Sequence, residues 1–179
     1  NYYIRTKQFD RVERDYAALA SKHPKSAPIK LAYARILILN RDIPKAQTIA
    51  NDLAKTDSGL PEVAVLNGML LLNEGKSADA FSLLQKSAKS NPENLPVKLW
   101  LGRAALAKGD LKTAQQSFAD ANRINPRNSE VAEALANTAV QNRDYSTLNE
   151  LAQSTIAIAP QAPAPYVWRG VAEANQKLL

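Results

Sequence analysis

Four prolines keep time along this chain. Pro24, Pro92, Pro126 and Pro160 are separated by 68, 34 and 34 residues, and the missing member of the series falls at Ser58, in the loop Thr56-Asp57-Ser58-Gly59. Proline cannot continue a helix and restricts the residue before it, so each one marks an element's end. A break that recurs every 34 residues points to stacked short units, each too small to bury its own apolar face without a neighbour.

Other residues follow the same clock. In the window 95–128, Leu101 and Gly102 are followed by Ala114, Phe118, Ala121 and Pro126. The window 61–94 carries Gly68, Ala80, Leu84, Ser87 and Pro92 at the matching places. The window 27–60 keeps Ala34, Ala46 and Ala50 but has Leu53 and lacks the proline; 129–162 keeps Leu135, Ala136 and Pro160 but departs with Leu148 and Thr155. Small residues at Ala34, Gly68, Gly102, Ala136 and Gly170, facing Ala46, Ala80 and Ala114, allow two helices to approach closely, where bulk would push them apart. Leu148 therefore predicts a looser or shifted hairpin. Asn40-Arg41-Asp42, Gly75-Lys76, Lys108-Gly109-Asp110 and Asn142-Arg143-Asp144 recur at one phase. Each offers a residue that tolerates the left-handed conformation or a cap for the next helix. The abundance of alanine and leucine, with only 6 glycines, agrees with helices.

On these residues the chain resembles the tetratricopeptide repeat family. The resemblance implies an all-α fold, a right-handed superhelical solenoid of antiparallel helix hairpins. The expected division is a partial repeat at 1–26, repeats at 27–60, 61–94, 95–128 and 129–162, and a lone first helix of a further repeat, or a cap, at 163–179. At the front, Tyr3, Gln8-Phe9, Val12, Tyr16 and Leu19 fit the later part of a repeat, so the chain is expected to begin inside a first helix. At the back, Tyr166, Gly170 and the run to Leu179 fit a first helix without its partner. The expectation is a piece of a longer array.

Several functions are disfavoured on the residues alone. No cysteine is present, which removes disulfides, thiolate metal ligands and cysteine nucleophiles. The single histidine, His23, stands in a loop beside Pro24 and has no second ligand type around it. No phosphate-cradling glycine loop or nucleophile motif occurs. Pairs such as Asp10 with Glu13, or Glu130 with Glu133, read as solvated helix faces. No catalytic residue, metal or cofactor is expected. The net charge of +6 is dispersed along the chain, which argues against nucleic acid as partner. No run of about 18 apolar residues would span a membrane. Absence of cysteine points towards an exported, periplasmic bacterial setting.

The resemblance implies a protein–protein interaction scaffold that holds a peptide or partner protein in a concave groove lined by each repeat's first helix. Transferring the family's groove places residue by residue selects Arg35, Leu66, Met69, Trp100, Arg103, Asn137 and Trp168. Trp100 and Trp168 stand two periods apart, as do Arg35 and Arg103. Tryptophan is a strong binding anchor and arginine pairs with carboxylates. The expected partner is thus apolar and acidic. The Lys and Asn set with which some members clamp chaperone tails is absent, since Leu31, Arg35, Leu66, Pro96 and Trp100 hold those places. Two alternatives remain: an accessory region of a larger enzyme, and part of a bacterial envelope or export lipoprotein. Val167, Trp168 and Val171 also make the last helix a candidate contact for self-association.

Overall fold

The computed structural model describes residues 2–176, with side chains from 10 to 175. Asn1, the stretch 177–179 ending at Leu179, and the side chains of Tyr3, Gln8 and Phe9 lie outside it. Among the described residues there are ten helices and no strand. They are α1 (Tyr2–Lys22), α2 (Ala27–Leu39), α3 (Ile43–Thr56), α4 (Pro61–Asn73), α5 (Ser77–Ser90), α6 (Leu95–Lys108), α7 (Leu111–Ile124), α8 (Ser129–Gln141), α9 (Tyr145–Ile158) and α10 (Ala164–Gln176). First helices begin at residues 27, 61, 95 and 129, and second helices at 43, 77, 111 and 145. The 34-residue spacing of the prolines is therefore also the spacing of the backbone.

The turn within each hairpin shows how the sequence sets that spacing. Positive φ recurs at Arg41, Gly75, Gly109 and Arg143, again 34 residues apart. After each, the chain closes a helix-ending bond: Asp42 N–H donates to Leu37 O, Lys76 N–H to Leu71 O, Asp110 N–H to Ala105 O and Asp144 N–H to Ala139 O. This is the motif that satisfies orphan carbonyls through a left-handed residue. The next helix is then capped. The Asp110 and Asp144 carboxylates accept from the N–H groups of Thr113 and Thr147 at 3.0 and 3.1 Å, and Asp42 accepts from Lys45 at 3.3 Å. At the N-terminus, the expected remnant of a first helix is not set off by a turn. Helix α1 runs unbroken, because Thr6-Lys7-Gln8 offers neither the Asn before the left-handed residue nor the capping Asp after it.

The chain forms two compact units, residues 1–83 and 84–179. In the first, α1 packs on α2, α2 on α3 and on α4, and α3 on α4. Its core joins Leu31, Ala34 and Leu37 to Ala46, Ala50, Leu53, Val63, Leu66 and Leu70. In the second, α6 to α10 pack each on the next. Gly102 shows why a small residue belongs at its place: a Cβ there would sit 2.5 Å from the ring of the fully buried Phe118. Leu148, the bulky departure in α9, is itself fully buried. Matching ion pairs brace one hairpin in each unit. Lys30 reaches Asp52 at 2.5 Å between α2 and α3, and Lys98 reaches Asp120 at 2.9 Å between α6 and α7.

Candidate partner-binding site

In the second unit, residues three, four and seven apart on α6 share a face. That stripe carries Trp100, Arg103 and Ala107; Trp100 and Arg103 are half-buried and Ala107 is exposed. The Arg103 guanidinium lies 4.4 Å from the centroid of the Trp100 ring. It also forms an ion pair with Glu130 at the start of α8, which spans the two first helices. Arg103 thus bonds cation to ring on one side and cation to carboxylate on the other, which fixes both the tryptophan and the arginine. On α8, Glu130, Glu133, Asn137, Val140 and Gln141 share one helix face, and all are exposed. On α10, Trp168 is half-buried, Val167 is 62% exposed, and the Tyr166 hydroxyl donates to Pro160 O at 2.8 Å.

The first unit treats the corresponding residues differently. Arg35 is half-buried, and among the described residues its side chain makes no hydrogen bond or ion pair. Its neighbour one turn earlier is Ala32, where α6 has Trp100, so Arg35 has no ring beneath it. Met69 is half-buried, and Leu39 is 67% exposed one turn beyond Arg35. Leu66 corrects the expectation made for it. It is fully enclosed in the core of α2, α3 and α4, so its side chain cements helices and presents nothing to a ligand. The cause is the composition of α4, whose Val63, Val65, Leu66 and Leu70 are apolar around most of the helix. The residues that follow Leu31 at 34-residue intervals divide likewise: Leu31, Val65 and Leu99 are buried, whereas Glu133 and Val167 are exposed.

Glu130 is the partner of Arg103 that the 34-residue pattern misses. A second rhythm of two repeats would have found it. Pro28-Ile29-Lys30-Leu31 with Arg35 returns as Pro96-Val97-Lys98-Leu99 with Arg103, and Glu62-Val63-Ala64 returns as Glu130-Val131-Ala132. The echo keeps the Arg and the Glu but changes the residue beneath the Arg, and only the second unit closes the pair.

The junction between consecutive hairpins differs in the same way. In the second unit Asn142 donates to the Gln115 side-chain carbonyl, and Gln115 donates to Asp144 at 2.5 Å. In the first unit the equivalent residues are Gln47, Glu74 and Lys76. There Gln47 donates instead to Asn51, Glu74 pairs with Lys76 at 2.7 Å, and a cavity of about 430 Å³ opens among Gln47, Asn67, Leu70, Leu71, Glu74, Lys76 and Leu83. Among the described residues no group of three or more acidic or histidine side chains could hold a metal ion, and no helix is long and apolar enough to cross a membrane.

Residues 71–147 match the family model described as tetratricopeptide repeat. No curated protein matches the sequence. Among solved structures, the chain is similar to a thermophilic tetratricopeptide repeat protein of Thermus thermophilus, with 15% identity and a TM-score of 0.77 over 97% of this chain and 94% of that one. It is also similar to the APC/C hetero-tetramer Cut9–Hcn1, with 15% identity and a TM-score of 0.73 over 98% of this chain and 35% of that one. The structure of Naa15/Naa10 bound to HypK-THB gives 14% identity and a TM-score of 0.75 over 83% of this chain and 22% of that one. At these identities the likeness concerns the fold.

Proposed function

Because residues 71–147 match the tetratricopeptide repeat model and the fold is that of such arrays, we propose that the chain is a protein–protein interaction scaffold and that within each unit the first helices of the hairpins contact partner protein. Two similar folds are those of proteins solved in complexes, Cut9 with Hcn1 and Naa15 with Naa10. One observation carries the reading. On α6 a tryptophan that is neither core nor free is held against an arginine, and that arginine is held by a glutamate of the next first helix. A preordered aromatic at a half-exposed place loses little entropy when a partner covers it, which is the property of a binding anchor. Asn137, exposed on α8, adds a donor and an acceptor for the backbone of an extended segment. Arg35 and Met69 are the proposed contacts of the first unit, and Trp168 that of α10.

The experiment is a pull-down from native cell extract with the wild-type chain and a Trp100→Ala, Arg103→Ala variant matched to it in melting temperature. A partner retained by the wild type and lost by the variant supports the reading. A partner held equally by both places binding on another surface.

A further inference from the structure

We infer that the face formed by α6 and α8 takes a basic segment, an extended stretch of a partner protein with Lys or Arg beside an apolar residue. The inference rests on the scaffold reading above and reverses the charge that the arginines suggest in sequence.

Charge complementarity carries it. Arg103 is the cation of this face, and its charge is already engaged by Glu130 and by the ring of Trp100. Glu130 keeps more than half of its side chain in solvent, 57% against 34% for Arg103. One turn along α8, Glu133 is exposed and, among the described residues, its carboxylate has no ion pair or hydrogen bond. Two carboxylates therefore stand against one arginine, on a chain whose net charge is +6. An acidic partner would have to displace Glu130 from Arg103 and would meet Glu133 as a like charge. A basic partner pairs with Glu133 and shares Glu130 without breaking anything. The apolar part of such a segment has a counterpart in Val140, 41% exposed two turns beyond Glu133, and in the uncovered part of Trp100.

The test uses the whole chain and two fluorescein-labelled ten-residue probes of alternating leucine and charge, one with lysine and one with glutamate. Fluorescence anisotropy is read at 20 and 300 mM salt. The lysine probe is expected to bind and to weaken with salt, and the glutamate probe to bind at least tenfold more weakly. Glu133→Gln is expected to weaken the lysine probe about threefold, the scale of one exposed ion pair. Arg103→Met keeps a long side chain against Trp100 but frees Glu130, and is expected to strengthen the lysine probe by a similar factor. That sign separates the two charge assignments, since a face built for acidic ligands loses affinity when its arginine is removed. A glutamate probe that binds more tightly, an Arg103→Met variant that weakens the lysine probe, or the binding of neither probe would overturn the inference. The assignment of partner binding to this face fails separately, through a native partner that ignores the Trp100→Ala, Arg103→Ala variant. Melting temperatures within 2 °C of wild type, a threshold set by the test, qualify each variant for comparison.

Discussion

At the residue scale, one place in the repeat has opposite requirements in two helices. Gly102 and Gly170 stand two periods apart, and sequence alone treats them as equals. In α6 a Cβ at Gly102 would meet three ring atoms of Phe118 at 2.5, 2.7 and 2.8 Å, and that ring is fully buried with nowhere to retreat. In α10 a Cβ at Gly170 would meet nothing within 4 Å. Gly102→Ala therefore combines an overpacking cost of about 1–3 kcal/mol with a helix-propensity gain of about 1. The expected net effect is destabilisation of about 1 kcal/mol. Gly170→Ala keeps only the gain and is expected to stabilise by up to about 1 kcal/mol. Urea denaturation of the two variants checks this, and equal signs would show that the close approach at Gly102 is misjudged. Small residues at this place were legible as a pattern. Which of them is compressed was not, because that depends on whether an aromatic such as Phe118 faces it.

Among elements, the hairpin turn is the feature that sequence specifies best. Asn40-Arg41-Asp42 and Asn142-Arg143-Asp144 lack glycine, yet Arg41 and Arg143 adopt the left-handed conformation that Gly75 and Gly109 supply elsewhere. The flanking Asn and Asp make the turn regardless, and the caps that follow have a pH signature. Hydrogen bonds from Thr113, first through its N–H, hold the Asp110 carboxyl below the ordinary aspartate value. Burial pushes Asp144 up, but the bonds from Thr147 and Gln115 outweigh it and hold the group low as well. A depressed folded value means that the stability contributed is complete above the unfolded value, about 3.9, and is lost as pH falls through the folded one. Asn caps a helix about as well as Asp and carries no charge. Asp144→Asn is thus expected to melt slightly below wild type at pH 7, and the gap is expected to narrow or close near pH 3. A gap that stays constant across that range would mean that the Asp144 charge adds nothing to its cap. The bond from Gln115, by contrast, was not legible. It joins α7 to the turn of the next hairpin, and its equivalent in the first unit, Gln47, turns to Asn51 instead.

Across the whole molecule, the two units are built on one pattern with unequal finish. First helices α6 and α8 start on Asn94 and Asn128, whose side chains accept from the N–H groups of Val97 and Val131. Their counterparts α2 and α4 start on Ser26 and Leu60, and neither makes a side-chain cap bond. Two missing caps are worth about 2 kcal/mol. The first unit also holds the open cavity where the second has its Gln115–Asn142–Asp144 bonds. Repeat arrays are sums of local stabilities and need not open as one piece. Hydrogen exchange followed by mass spectrometry is therefore expected to show amides of α2 to α4 opening about tenfold or more faster than those of α6 to α9. Substituting Leu60→Asn supplies one missing cap and is expected to slow α4 specifically. Equal protection in both units, or faster exchange in α6 to α9, would show that caps and cavity do not set the order of opening. The 34-residue clock could not forecast this inequality, because it reports where helices start, and the difference lies in which side chain stands at each start.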